Sequence, residues 1–113
     1  VISALSISGL PTDHFFFEGF LPKKKGRKTR FEFLNSFQSS VVIYESPMRI
    51  KKTLNDISMY MGEDRIISVC REITKKFEET IMGTVADAIS YFSEKSPKGE
   101  FVLVIAKEGY TLS

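Results

Sequence analysis

The residues most able to do chemistry begin with a basic segment at positions 23–30. Its six cations are Lys23, Lys24, Lys25, Arg27, Lys28 and Arg30. So dense a run can neutralise several phosphates at once, which is the sequence-independent part of affinity for RNA or DNA. The plainer alternative is a solvated loop followed by the solvated face of a helix. The density of the run and the flexible glycine at position 26 favour the nucleic-acid contact.

Two further polar segments each follow an apolar, β-branched run. After residues 41–43 come Tyr44, Glu45, Ser46 and Arg49, and after residues 65–70 come Arg71, Glu72, Lys75 and Lys76. In open α/β sheets, ligands bind at the carboxyl ends of strands, where helix N-termini present unpaired N–H groups. We therefore predict that the two segments lie side by side and form one cleft. The alternatives are a core aromatic at Tyr44, a helix cap at Ser46, a surface charge at Arg49 and a polar exit loop at 71–76.

Several other chemistries find no support in the residue types. The chain has one cysteine, Cys70, and one histidine, His14, which excludes a Cys/His zinc cluster drawn from this chain. No Ser/His/Asp or Cys/His order and no glycine-rich phosphate loop occurs. A single cysteine indicates a reducing, cytoplasmic setting. The longest apolar run, residues 101–106, is far shorter than the roughly 20 residues of a membrane span.

The composition is that of one folded domain. Of the 113 residues, 42% are hydrophobic and 27% charged, and the mean hydropathy is −0.06. Ten Phe and four Tyr supply enough apolar surface to offset chain entropy, which argues against disorder. The net charge of +2 is small, but residues 1–50 carry +3 and the remainder −1. The excess of positive charge therefore coincides with the basic segment.

The elements that must position these segments alternate between strand and helix. Strands are predicted over residues 12–20, 41–44, 65–70, 80–82 and 100–107. One helix follows the basic segment with an apolar stripe of Phe31, Leu34 and Phe37, and a second spans residues 47–61 with Ser46 as its cap. A third begins near Thr84, where Asp87 completes a capping box. This order predicts an α/β domain with a mostly parallel or mixed sheet between helical layers.

Four segments of the sequence resemble, in their order and spacing, those of one bacterial protein family. They are ALSISGLPTDHFFFEGFLP, VVIYESPMRI, CREITKKFEETIMGT and KGEFVLVI. Together they resemble the C-terminal half of the ribosomal RNA small-subunit methyltransferase I family, within the tetrapyrrole methylase superfamily, over residues 4–106. The resemblance implies a five-stranded mixed sheet flanked by helices, as in the second domain of tetrapyrrole methylases. It implies the end of an interdomain linker helix at 1–11, the C-terminal domain at 12–107 and a tail at 108–113.

The resemblance also implies an activity, which is methylation of the 2′-hydroxyl of a cytidine ribose in small-subunit ribosomal RNA. S-adenosylmethionine is then the cofactor, and no metal is implied. The implied cofactor contacts are Tyr44, Glu45, Ser46, Arg71, Glu100 and Phe101. The implied RNA contacts are Lys23, Lys24, Lys25, Arg27, Lys28, Arg30 and Arg49. Candidates for a base, or for a lysine that lowers the pKa of the ribose hydroxyl, are Glu72, Lys75 and Lys76, and Glu45 could instead accept N–H groups at a helix start.

Two alternatives stay open beside this interpretation. The chain could be an RNA-binding or dimer-forming module without cofactor contacts, or it could act on a tetrapyrrole precursor, which the basic segment argues against. The expected partners are small-subunit ribosomal RNA, an N-terminal domain of the same protein and a second copy of the chain. Two positions depart from the family, with His14 in place of Arg and Met48 in place of His. Because a thioether cannot transfer a proton, a catalytic role at position 48 is in doubt.

Overall fold

The computed structural model of the chain describes residues 15–74, 77–95 and 97–111, with side chains outside 72–78. This described part contains five strands and three helices. In chain order they are β1 (Phe15–Phe20), α1 (Arg27–Asn35), β2 (Ser40–Glu45), α2 (Ile50–Met61), β3 (Ile66–Thr74), β4 (Phe77–Thr84), α3 (Val85–Phe92) and β5 (Glu100–Ile105). The residues proposed as a linker end, 1–11, lie outside the described residues.

The strands form one mixed sheet in the order β1-β2-β5-β3-β4. Strands β1 and β2 pair in parallel, whereas β5 runs antiparallel to both of its neighbours, β2 and β3, and β4 runs antiparallel to β3. The predicted five-stranded mixed sheet is therefore confirmed. Because β1, β2 and β3 all run in one direction, their carboxyl ends lie at the same edge of the sheet, which we call the carboxyl edge.

The main hydrophobic core lies between one face of the sheet and the three helices. Alternate residues of β5 (Phe101, Leu103 and Ile105) point into it, as the two-residue period of a strand requires. The helices contribute Phe31, Leu34, Ile50, Leu54, Ile57, Val85, Ala88 and Phe92. Phe31 and Leu34 of the predicted stripe are thus confirmed, whereas Phe37 lies beyond the end of α1 and is half-buried.

The expectation of a sheet between helical layers is wrong for the described residues, because all three described helices pack on one face. Crossover connections are right-handed. The connections from β1 to β2 and from β2 to β3 cross the sheet in the same direction and join strands that point the same way. The connection from β4 to β5 crosses the sheet in the opposite direction and joins two strands that point the opposite way. Each connection therefore sends its helix to the same side, and the opposite sheet face, here called the open face, carries no described helix, although Val42, Val104 and Ala106 on it are buried.

Two helix starts differ in how well local sequence predicts them. The capping box of α3 is present, since Asp87 N–H donates to Thr84 Oγ1 at 3.1 Å and Thr84 N–H donates to Asp87 Oδ2 at 3.0 Å. Helix α2 instead begins at Ile50, three residues later than predicted, after a turn in which Arg49 N–H bonds to the Ser46 carbonyl. The predicted cap at Ser46 is therefore wrong.

Candidate functional site

The carboxyl edge brings the basic segment beside the turn that follows β2. The basic segment leaves the end of β1, and the turn at residues 46–49 leaves the end of β2. The Arg49 guanidinium donates to the Lys23 carbonyl at 3.3 Å, which joins the two. Two segments that are about twenty residues apart in sequence thus form one surface, as expected from parallel neighbouring strands.

The segment that begins at Arg71 shares this edge but is not beside Tyr44 and Glu45. Strand β5 is inserted between β2 and β3, and Phe101 stands in register with Glu45 on one side and Arg71 on the other. The expectation that the two segments are neighbours is therefore wrong by one strand. Phe101, a predicted cofactor contact, is buried in the core against Phe92, whereas Glu100 is exposed at the edge.

Glu45 is a buried carboxylate whose two oxygens are used inside the chain. Oε1 accepts the Ser46 N–H at 2.8 Å, and Oε2 accepts the Thr53 hydroxyl. The Thr53 hydroxyl oxygen in turn accepts a bond from Arg27 at 2.9 Å. This geometry matches the alternative in which Glu45 organises the start of a helix. Its place at the edge then fixes the turn at residues 46–49.

Arg27 belongs to the same buried network and is not exposed to a ligand. Its Nε lies 2.8 Å from Asp56 Oδ2, and its terminal nitrogens donate to the Pro22 carbonyl and the Thr53 hydroxyl, both at 2.9 Å. Only 7% of Arg27 is exposed. The expectation that Arg27 contacts RNA is therefore corrected: it ties the start of the basic segment to α2.

Arg30 is also engaged within the chain. It pairs with Glu18 on β1 through two nitrogens and stacks over Phe33, with its guanidinium carbon 4.7 Å from the ring centroid. The hydrogen bond to Glu18 raises the pKa of the Arg30 guanidinium. The remaining cations of the segment are all exposed, and they are Lys23, Lys24, Lys25 and Lys28. The basic surface is thus built mainly by lysines, with Arg27 buried beneath it and the Arg30 side chain 36% exposed.

Three aromatic rings lie beside the basic segment on the open face. Phe17 and Phe20 each contact Tyr44 edge to face, at centroid distances of 5.2 and 5.6 Å. Phe20 is 70% exposed although it is a large apolar side chain at the end of a strand. Sequence reasoning did not single out Phe20 as functional. The sequence feature that could have identified Phe20 is the Glu-Gly pair that interrupts the aromatic segment FFFEGF.

Arg71 is held at the far side of the edge by a polar cluster on β4 and α3. Its guanidinium donates to Glu79 at 3.0 Å, the Tyr91 hydroxyl donates to the other oxygen of Glu79, and the Lys95 ammonium lies 4.1 Å from the Tyr91 ring centroid. Among the described residues, the buried Arg71 Nε finds no hydrogen-bond acceptor. The described contacts thus position Arg71 through its bond to Glu79.

The cluster predicts a pH dependence of stability. The Tyr91 hydrogen bond, followed by Arg71, lowers the pKa of Glu79, and the same bond raises the pKa of Tyr91. The Glu79 contribution is then present at neutral pH and is lost as the pH falls through its lowered pKa, while the Tyr91 contribution is lost at alkaline pH. We expect Tyr91→Phe to lose less stability than the wild type between neutral pH and about pH 3. Urea unfolding at both pH values measures this.

The matched control is Tyr60→Phe, which removes a hydroxyl from a ring that stacks on Phe31, away from Glu79. This variant should keep the acid dependence of the wild type. An unchanged acid slope in Tyr91→Phe would contradict the assignment of the Glu79 shift to its bond with Tyr91.

Some predicted residues cannot be placed in the site. Lys75, Lys76 and His14 lie outside the described residues, as does the side chain of Glu72, whose backbone is in β3. Met48 is 94% exposed in the turn after β2, directly beside Arg49. The helices of the described part include none long and apolar enough to cross a bilayer.

Comparisons with known proteins are consistent across sequence and structure. No family model matches the chain. Among curated proteins, it is 45% identical over 107 residues to "Ribosomal RNA small subunit methyltransferase I" of Synechocystis sp. and 42% identical over 109 residues to the protein of the same name from Halalkalibacterium halodurans. These matches cover 94% and 96% of this chain but only 38% and 37% of the relatives. The matched stretch is the C-terminal part of the relatives.

Solved structures show the same fold at low sequence identity. The methyltransferase CobJ aligns with a TM-score of 0.70 and 15% identity over 99% of this chain and 49% of that one. The cobalamin biosynthetic enzyme CbiF, a cobalt precorrin-4 methyltransferase, aligns with a TM-score of 0.55 and 18% identity over 91% of this chain and 45% of that one. The predicted resemblance to the tetrapyrrole methylase fold is therefore confirmed.

Proposed function

We propose that this chain, which is homologous over nearly its whole length to the C-terminal part of the ribosomal RNA small subunit methyltransferase I proteins, forms the C-terminal domain of an S-adenosylmethionine-dependent RNA methyltransferase. The proposed reaction is methylation of a cytidine 2′-hydroxyl in small-subunit ribosomal RNA. The observation that carries it is the 45% identity over 94% of the chain. In this proposal residues 12–107 are the domain, 1–11 end a linker helix and 108–113 are a tail.

In this proposal, different residues of the carboxyl edge bind the RNA and the cofactor. The exposed lysines at 23–25 and 28, with Arg49, suit the phosphates of the RNA. Arg71, whose side chain is 19% exposed, remains a proposed cofactor contact because its guanidinium can donate to a carboxylate or hydroxyl oxygen. Tyr44, Ser46 and Glu100 remain proposed cofactor contacts. Glu45 and Arg27 act as positioning residues, since their polar atoms bond within the chain.

The proposed methyl transfer depends more on the alignment of the ribose hydroxyl with the methyl group than on acid–base catalysis. S-adenosylmethionine, when bound, supplies an electrophilic methyl group. Because attack on that methyl group would have to come in line with its bond to sulfur, the residues that hold the ribose and the cofactor would supply much of the acceleration by fixing their orientation. The hydroxyl proton must leave, and Glu72, Lys75 and Lys76 are the proposed acceptors or pKa-lowering groups.

The proposed partners follow from this reaction. They are the small ribosomal subunit, an N-terminal domain of the same protein that completes the cofactor cleft, and a second copy of the chain. Because ribosomal subunits are the substrate, the proposed location is the cytoplasm.

A second candidate is an RNA-binding module without cofactor contacts. The observation that favours it is that Glu45 and Phe101, two predicted cofactor contacts, turn their side chains inward and are 7% and 1% exposed. In this alternative, the cofactor chemistry is performed entirely by other parts of the protein.

One experiment separates the candidates, and it uses the full-length protein that contains this chain. We expect calorimetric titration to show S-adenosylmethionine binding and labelled methyl groups to be transferred to small ribosomal subunits. Arg71→Ala should weaken cofactor binding about tenfold, because a hydrogen bond from a charged donor is worth roughly 1.5–3 kcal/mol. Tyr91→Phe, which keeps Arg71 and its pair with Glu79, is the matched control and should bind cofactor nearly as well as the wild type.

The outcomes distinguish the two candidates. Absence of methyl transfer to small subunits in the wild type would refute the proposed activity. Equal cofactor affinity of Arg71→Ala and wild type would favour the module without cofactor contacts. The 113-residue chain alone is a useful comparison, and we expect it to bind RNA without transferring methyl groups.

A further inference from the structure

Phe20 is placed on the open face by an irregularity in β1. The pairing of β1 with β2 shifts register between Phe17 and Gly19, so Glu18 is an extra residue with no partner of its own. Without this bulge, Phe17 and Phe20 would point to opposite faces, because side chains alternate along a strand. With it, both rings reach Tyr44 on the open face.

The bulge is specified by sequence and is supported from both sides. Gly19 has a φ of +75°, a backbone conformation that glycine adopts without strain. Glu18 points to the helix side and is held by Arg30. Bulges of this kind re-aim side chains next to functional sites. The chain therefore maintains a specific local structure whose effect is to present an exposed phenyl ring.

The surroundings of Phe20 carry positive charge without compensating acids. Lys23, Lys24 and Lys25 follow it within five positions and are exposed, and residues 19–31 contain no Asp or Glu. Protein interfaces are depleted of lysine in their cores. An aromatic ring beside a lysine cluster is instead the combination that binds single-stranded nucleic acid, in which cations hold the phosphates and rings stack on the bases.

We propose that Phe20, supported by Phe17 and Tyr44, is a stacking platform for an unpaired base of RNA whose phosphates contact the exposed lysines. The inference rests on the proposed function, which supplies RNA as the substrate, and it adds that the RNA is single-stranded where it meets this edge. Unpaired bases can be splayed onto aromatic side chains, whereas the bases of an A-form duplex are stacked on each other.

The test measures binding of two RNA probes to the 113-residue chain, a single-stranded oligonucleotide with one 2-aminopurine and a blunt-ended duplex in which the same base is paired. The wild type should bind the single strand more tightly and quench its 2-aminopurine fluorescence. Phe20→Leu should weaken single-strand binding about tenfold and abolish the quenching, since stacking on one ring is worth roughly 1–3 kcal/mol per base. Duplex binding and the salt dependence of binding should stay unchanged.

Two variants make the test specific. Phe15→Leu changes a 44% exposed phenylalanine on the same face of the same strand, at its other end, and should behave as the wild type. Phe20→Tyr keeps an aromatic ring and should retain both binding and quenching. Both variants preserve the apolar character of the strand, so their folding is expected to match that of Phe20→Leu.

Equal binding and quenching by Phe20→Leu and Phe15→Leu would overturn the stacking platform while leaving the proposed function intact. Failure of the wild type to bind either RNA would count against the RNA substrate itself. If Phe20→Leu changes the sedimentation coefficient of the chain and leaves RNA binding untouched, the ring belongs to a protein interface and the proposal is wrong.

Discussion

Replacing Arg27 by methionine should lower the free energy of unfolding by about 3 kcal/mol. Methionine keeps most of the apolar stem, so the loss reports the guanidinium. That group bonds to Asp56, Thr53 and the Pro22 carbonyl from a site that is only 7% exposed. Removing the guanidinium leaves Asp56, which is poorly solvated, with the longer pair to the exposed Lys52 at 3.4 Å, so most of the compensation of its charge is lost. Urea unfolding at neutral pH measures the change.

The control is Lys28→Met, which removes the neighbouring cation from an exposed position. Its unfolding free energy should differ from the wild type by less than about 0.5 kcal/mol. Should the two variants prove equally stable, Arg27 would be a surface charge and the buried network would not hold the basic segment. A large loss in Arg27→Met alone would confirm that this cation is structural.

Replacing Lys23, Lys24, Lys25 and Lys28 together by glutamine should reduce affinity for single-stranded RNA about a hundredfold or more at low salt. Each phosphate contact to a single strand contributes roughly 0.7 to the slope of log affinity against log salt, so removing all four lysine charges should lower the slope by about 3. Fluorescence anisotropy over a series of salt concentrations measures both quantities. The unfolding free energy should change little, because all four side chains are exposed.

The comparison variant is Lys107→Gln, an exposed lysine just beyond the end of β5, at the sheet edge opposite the carboxyl edge. Its salt slope should equal that of the wild type, whereas Lys24→Gln alone should lower the slope by about 0.7. An unchanged slope in the fourfold variant would make the basic segment a solvated face without a role in RNA binding.

The basic segment thus contains two chemically different kinds of cation. Arginine presents a planar set of donors that can bond to several acceptors at once, and Arg27 and Arg30 both use it inside the chain. Lysine carries a compact, strongly hydrated charge, which favours its exposure to solvent and phosphate. The exposed lysines are the part of the segment that is accessible to RNA.

Local sequence was sufficient for the types and order of the secondary structure elements. Phe31 and Leu34 at helical spacing predicted the buried face of α1, and Thr84 with Asp87 predicted the start of α3. Both signals depend on residues no more than four positions apart, so they can be recognised in the sequence without knowledge of the fold. The four sequence segments that resemble a known family were likewise sufficient to identify the relatives that the comparisons found.

Strand lengths were less predictable, because polar residues interrupt the pattern. Strand β4 extends over Phe77–Thr84 although three polar residues, 78–80, lie in its first half. Its polar residues are stabilised from the neighbouring strand, as where Arg71 pairs in register with Glu79. Such cross-strand pairs favour a strand by contacts that single-strand propensity does not include.

The tertiary structure alone decided which predicted site residues face a ligand. Arg27 is withdrawn from the surface by Asp56, which is 29 positions away, and Arg71 is separated from Glu45 by a strand from the end of the chain. Phe20 reaches the open face because one extra residue shifts the register of β1. In each case the outcome depends on contacts between distant parts of the chain. Sequence spacing predicts which side chains share an element, but exposure and pairing are set by what packs against that element in three dimensions.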